Sequence, residues 1–372
     1  ATPVETTDIQ GATQTGKPEF KGGTVTVDGV EKTVEINEDV PATFDDGSTT
    51  KTVDGVGTYT VAADGTVTFV PEKSFVGTAP AVTVVREDKN GTKASATYTP
   101  TVTPVTPTAT PVETTDIQGA TQTGKPEFKG GTVTVDGVEK TVEINEDVPA
   151  TFDDGSTTKT VEGVGTYTVA ANGTVTFVPE KSFVGTAPAV TVVREDKNGT
   201  KASATYTPTV TPVTPTATPV ETTDIQGATQ TGKPEFKGGT VTVDGVEKTV
   251  EINEDVPATF DDGSTTKTVD GVGTYTVAAD GTVTFVPEKS FVGTAPAVTV
   301  VREDKNGTKA SATYTPTVTP VTPTATPVET TDIQGATQTG KPEFKGGTVT
   351  VDGVEKTVEI NEDVPATFDD GS

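Results

Sequence analysis

Two short runs hold the residues best suited to chemistry: NEDVPATFDDGS at 37–48 and REDKNGT at 86–92. Asp45 and Asp46 in the first, and Asp88 and Asn90 in the second, carry the hard oxygen donors that calcium takes as ligands. The spacing does not match an EF-hand. DKNGTKASATYT, read from Asp88, lacks acidic or amide groups at alternating positions and the closing Glu. Asp and Asn ahead of Gly are also what tight turns need, because their side chains hydrogen-bond the backbone two residues on. These residues therefore read first as solvated turns, with calcium at Asp45, Asp46, Asp88 and Asn90 as the alternative, and no cofactor is expected.

A covalent Lys–Asn or Lys–Asp isopeptide bond would need a buried lysine beside a buried side chain. Asn37 and Asn90 are the asparagines of the first 108 residues, and Lys32 is the one lysine on an apparent core face. A lysine at such a place more often guards a strand edge against aggregation. Asn-Gly-Thr at Asn90 and Asn172 fits a glycosylation pattern but equally a hairpin turn. With no His and no Cys, Ser-His-Asp and Cys-His catalysis is excluded. Carboxylates remain as acid–base candidates, but most lie in turns or alternate with apolar positions as solvated charges do, so no catalytic residue and no enzyme are expected. Sugar stacking would fall to Tyr59 and Tyr98, which occupy core-like positions, since Trp is absent.

The elements that carry these residues follow from a repeat. Residues 1–108, 109–216 and 217–324 align without gaps, and 325–372 repeats 1–48. Copies one and three are identical; copy two has Glu162 for Asp54 and Asn172 for Asp64. A period of this length exceeds that of solenoids and propellers and suits one independently folded β-sandwich of immunoglobulin size. Each full copy holds 25 Thr and 17 Val and no Leu; β-branched side chains suit a pleated, half-buried surface. The expected fold class is all-β: tandem β-sandwich domains joined by Pro/Thr-rich extended linkers.

Strand signals fill one copy. Thr24–Val27 and Val30–Ile36 flank Asp28-Gly29, a type I′ turn pair. Thr58–Ala62 and Thr66–Val70 flank ADG. A three-residue loop there, with Gly65 left-handed, pairs Val61 with Val67 and Tyr59 with Phe69, whereas a two-residue turn would face Val61 with Thr68. A third hairpin joins 81–86 to 93–99, packing Val82 and Val84 near Ala96 and Tyr98, and 42–44 and 49–53 add two short strands. Seven or eight strands are expected, around Phe20, Phe44, Phe69, Phe75, Tyr59 and Tyr98.

Between them TPTVTPVTPTATPVETTD, beginning at Thr99, Thr207 and Thr315, places a proline every three or four residues. Proline fixes φ and restricts the residue before it, which predicts an extended or polyproline II spacer. The expected divisions are sandwiches at 9–102, 117–210 and 225–318, linkers at 103–116, 211–224 and 319–332, and a partial fourth repeat at 333–372. A second arrangement stays open, in which the hairpin of one copy packs on the later strands of its predecessor. That would complete copies across their boundaries into a continuous filament.

A net charge of −27 argues against nucleic acid and anionic membranes as partners. No apolar run approaches the ~20 residues of a membrane span, so export and anchoring signals are expected outside this stretch.

The run from Val40 to Val105 resembles the CshA-type fibril repeat of cell-wall-anchored fibrillar adhesins, best known from oral streptococci. The carrying motifs are DGVGTYTV, DGTVTFVPEKSFVGTA, DKNGTKA and the closing YTPTVTP; GATQTGKPEF is similar to the start of the family's repeat. The resemblance implies a β-sandwich stalk on a Gram-positive cell surface, projecting a distal adhesive domain, with no catalytic residues to carry over. The partners it implies are neighbouring repeats of the same chain and, through domains outside this stretch, host matrix or bacterial surface ligands, with self-assembly into fibrils. A competing reading is a multivalent module in which each copy binds a ligand weakly.

Overall fold

A computed structural model describes residues 1–369, and every regular element among them is a strand. The end of the partial fourth repeat, residues 370–372, lies outside the described residues. Copy one forms β1 (Val4–Ile9), β2 (Gln14–Gly16), β3 (Gly23–Val27), β4 (Val30–Val34), β5 (Thr43–Phe44) and β6 (Thr50–Val53). It continues with β7 (Gly57–Val61), β8 (Val67–Pro71), β9 (Gly77–Thr78), β10 (Val82–Glu87) and β11 (Lys93–Thr103).

Two sheets face each other. One has the order β1-β11-β10-β5, with β9 also on β11; the other has the order β2-β8-β7-β6. Alternation does the sorting, as β10 buries every second residue and β7 and β8 bury Tyr59, Val61, Val67 and Phe69. The Tyr59 and Phe69 rings lie 4.6 Å apart, and Tyr98 meets Tyr59 edge-on at 6.5 Å. Such aromatic pairs add to the burial of their area. Phe44 is also fully buried, while Phe20 and Phe75 pack at the margin. The register is the one the longer ADG loop requires, Tyr59↔Phe69 and Val61↔Val67. Val82 faces Tyr98 and Val84 faces Ala96. At Asp28-Gly29 both φ angles are positive, 51° and 77°, as a type I′ turn demands.

Several strands escaped the sequence reading. β1, β2 and β9 are additional, and β11 does not stop at Pro100. From Tyr98 to Thr103 it runs parallel to β1, pairing Val4↔Tyr98 through Ile9↔Thr103. Pro100 withholds one N–H, yet its carbonyl accepts from Ala79 N at 2.9 Å. The first sandwich therefore begins at Val4, ahead of residue 9.

The stretch 103–116 is likewise drawn into strands. β12 (Thr108–Thr110) and β13 (Val112–Ile117) precede β14 (Gln122–Gly124) and β15 (Glu127–Lys129), and β12 pairs with β15. β13 opens the second sandwich as β1 opens the first. Only residues 104–107 and Pro111 lie between strands, and Val105 among them is buried. The Thr/Val alternation of this stretch is β-compatible, and proline's fixed φ is compatible with extended backbone as well as polyproline II.

Copies two and three repeat the core residue for residue, each closed within its own copy. In copy three Val220–Ile225 runs parallel to Lys309–Thr319. The described part of copy four contains a hairpin, Gly347–Val351 with Val354–Val358, while Phe344 and Phe368 stay exposed.

Candidate functional site at the junction between copies

The four residues singled out for calcium sit on two separate turns, and each is engaged there. Asp46 accepts from Ser48 N at 2.9 Å and Ser48 Oγ at 2.6 Å, which holds its carboxyl below the usual range, with Lys51 adding to the effect. Lys51 bridges Asp45 and Asp46 and lies over the Phe44 ring, 5.5 Å from its centre. The positive charge beside these carboxylates is thus Lys51 of β6, the strand that follows their turn. Asp88 Oδ1 accepts from Asn90 N at 2.8 Å and Thr92 N at 2.9 Å, the bonds of an Asx turn. Among the described residues no three acidic side chains converge as a metal site would need.

Asn90 and Lys32 gain their meaning from the copy before. In copy two the hairpin of β16 (Gly131–Val135) and β17 (Val138–Val142) corresponds to β3–β4. Gly131, Val133 and Val135 face Val142, Lys140 and Val138 across it, so these six share one face. The face turns away from its own sandwich and onto copy one. Val135 and Val142 form a buried cluster with Ile9 and Val105, flanked by Ala12 and Val133. Lys140, the counterpart of Lys32, reaches Asp8 Oδ1 at 2.6 Å, and that oxygen also accepts from Ile9 N at 2.7 Å. Lys140 and Lys356, the counterparts of Lys32, thus make ion pairs between copies, whereas Lys32 itself is exposed and Asn37 Oδ1 accepts from Asp39 N.

The turn at Asn198 supplies the other half of the contact. Asn198, the counterpart of Asn90, donates from Nδ2 to Gln10 O at 2.8 Å. Gln10 is itself braced: its Nε2 donates to Lys73 O at 2.8 Å and its Oε1 accepts from Val105 N at 3.4 Å. Gly11, at φ +79°, passes so close that a Cβ there would stand 2.2 Å from Asn198 Oδ1. Only glycine meets both demands. Asp196, which caps this turn as Asp88 does, becomes fully buried at 0% exposure. Its Oδ2 accepts no hydrogen bond within the protein. In the third copy Asn306 makes the same bond to Gln118 O, at 2.8 Å. In the fourth, Lys356 meets Asp224 at 2.6 Å.

The arrangement therefore combines both phases that the sequence left open. Each core closes within one copy, and the hairpin of copy two lies on copy one. The signal for this was a hairpin with a Val-rich face and a lysine in a copy whose core was already full. What sequence could not show is that Asp8, read as the end of the spacer, and Ile9, read as the first residue of the sandwich, together end a strand.

These contacts can hold neighbours in register; they bring no nucleophile, base or oxyanion donor together. The family model described as the surface adhesin CshA repetitive domain matches residues 1–102, 104–210, 212–318 and 320–372. No curated protein matches the chain. Among solved structures, mouse cadherin-23 EC22-24 is similar at 14% identity and a TM-score of 0.28, covering 86% of this chain and 97% of that one. The I9-I11 tandem of titin is similar at 12% identity and a TM-score of 0.32, covering 86% and 98%. The chain belongs to the surface adhesin CshA repetitive domain family, and is a repeat region of a surface adhesin exposed outside the cell.

Proposed function

We propose that this region is a structural stalk, whose work is to hold an adhesive domain of the same protein away from a cell wall to which the protein is anchored. The observation that carries the reading is the joint between copies one and two. A closed sandwich core is followed by a hairpin and a turn that fasten to the preceding copy at Asp8, Ile9, Gln10 and Gly11. A binding module has no use for such a fastening, whereas a stalk needs one at every step. The negative charge acts in the same direction, since like-charged copies resist collapse.

The second reading, weak multivalent binding, is favoured by a groove that recurs in copies one and three. In copy one it is lined by Phe20, Lys21, Glu38 and Lys89 among others, with a volume of about 610 Å³. Its counterpart in copy three holds Phe236, Lys237, Glu254 and Lys305. Hot spots favour Trp, Tyr and Arg, and this groove offers none of them in its lining.

Small-angle scattering on chains of increasing copy number, with and without calcium, tests the stalk. The expected result is a maximum dimension that grows linearly with copy number and ignores calcium. A compact or broadly distributed particle would overturn the stalk and favour the groove. Stiffening that requires calcium would move the function to the Asp45/Asp46 and Asp88/Asn90 turns.

A further inference from the structure

Where the chain enters and leaves a sandwich decides how that sandwich meets tension. In copy one the first strand, β1, lies at the edge of its sheet and runs parallel to the end of the last strand, Val4↔Tyr98 through Ile9↔Thr103. A pull along the chain drags β1 backward from Val4 and β11 forward from Thr103. The two strands are loaded in opposite directions along their shared ladder, so its six residue pairs must slip together instead of opening one by one. Copy three has the same register, Val220↔Tyr314 through Ile225↔Thr319. Further bonds brace the ladder. Gln10 N donates to Thr103 O at 2.9 Å, Gln14 Nε2 donates to Thr101 O at 2.9 Å, and the Thr6 and Tyr98 hydroxyls share a hydrogen bond at 2.9 Å. Copy three repeats all three through Gln226, Gln230 and Thr222. Successive strand residues alternate in the neighbour that their N–H and C=O address. Pro100 O accepts from Ala79 N, so the N–H that this proline withholds belongs to the β9 side, and the β1 ladder is unbroken.

We propose that each sandwich is a tension-bearing unit whose clamp is this parallel ladder between its first and last strands. Residues 10–92 of copy one, which lie between the two paired segments in sequence, are off the load path and stay folded until the clamp yields. The inference deepens the stalk reading, which supplies the load. Resistance nevertheless belongs to the single sandwich, so the dimensions seen in scattering test the stalk while the rupture force tests the clamp.

The chain has no cysteine, so introduced ones give unique attachment points for single-molecule pulling on the full chain. Ala1→Cys with Thr106→Cys loads the ladder of copy one. Thr13→Cys with Thr106→Cys moves one attachment just past β1, which takes the ladder off the load path and leaves the same sandwich in place; all three positions are exposed. Both pulls should release roughly 30 nm of chain, at ~3.4 Å per residue, which marks them as the same unfolding event. The first is expected at about twice the force of the second, because forced unfolding follows the barrier along the direction of load and not the equilibrium stability. Thr6 lies on the same backbone side of β1 as Gln10, whose N–H reaches Thr103 O, so Thr6→Pro removes a ladder donor. That change is expected to lower the first force to the level of the second and to leave the second where it was. Equal forces from the two attachments overturn the proposal, whether or not the Thr6→Pro chain folds. So does a Thr6→Pro chain in which both forces fall alike.

Discussion

At the scale of single residues, the junction and the core make different demands. The Tyr59 hydroxyl donates to Pro80 O at 2.8 Å, and burial pushes its phenol up to about 12. Tyr98 is also raised by burial, against the opposing effect of Thr6 at 2.9 Å. An unfolded tyrosine titrates near 10.0. Between these values the unfolded chain releases protons that the folded chain keeps, so this stability is whole below pH 10 and is lost as pH rises through the folded value. In an alkaline titration, tyrosinate absorbance and loss of circular dichroism should therefore appear together, well above pH 10. Tyrosinate forming near pH 10 with the fold intact would contradict the burial of these rings. At the junction, Asp8 and Lys140 are 19% and 34% exposed, so their pairing is only partly shielded. A double-mutant cycle with Asp8→Ala and Lys140→Ala should give a coupling of about 1 kcal/mol, the upper end for pairs that water still reaches. A coupling of zero would leave the ion pair without a part in the joint. Asn172 in copy two shows how little the surface pairs decide: its Oδ1 still accepts from Thr174 N at 3.0 Å, as Asp64 does from Thr66 N, while the Lys17–Asp64 ion pair has no counterpart there. Nothing in the structure explains Glu162 in place of Asp54.

At the scale of elements, the hairpin is the part whose state depends on its neighbour. Val135→Asp should release β16–β17 from Ile9 and Val105 while leaving the Tyr167/Phe177 core in place, since the two clusters share no residue. With copy two segmentally labelled, amide exchange in 131–142 should rise to the rate of a hairpin with an exposed face, and the strands of its sandwich should stay protected. Loss of protection throughout copy two would instead mean that the hairpin is part of the core. The same contrast separates what sequence revealed from what it hid. The three hairpins were legible because alternation and the turns Asp-Gly, Ala-Asp-Gly and Lys-Asn-Gly are local, and face matching alone selected Tyr59↔Phe69. β1 was hidden because VETTDI alternates too weakly to declare a strand, and its partner is the far end of β11, beyond a proline. Lys32 was legible as an anomaly on an apolar face. Its explanation lies 132 residues away along the chain in the equivalent Lys140–Asp8 pair, a separation no local pattern encodes.

At the scale of the whole molecule, the joint should make stability depend on copy number. Independent sandwiches would unfold at one midpoint however many were strung together. Nearest-neighbour contacts instead add an interface term for each joint, as in other repeat arrays. Seating Val135 and Val142 removes two valines from water, worth at most ~3–6 kcal/mol by area, and the buried Asp196 oxygen without a partner offsets ~1–3 kcal/mol of it. A net gain of roughly 2 kcal/mol is large beside the ~5–15 kcal/mol of a typical domain. For units of this size it corresponds to a rise of roughly 10 °C in Tm. Calorimetry on chains of one, two and three copies should show the midpoint climbing from one to two and by less from two to three, with the transition sharpening as copies couple. Gly11→Ala in the two-copy chain, which drives a Cβ into Asn198, should bring the midpoint back toward that of one copy. Midpoints that coincide for all three lengths would mean that the hairpin contact carries no stability and that the copies are beads after all.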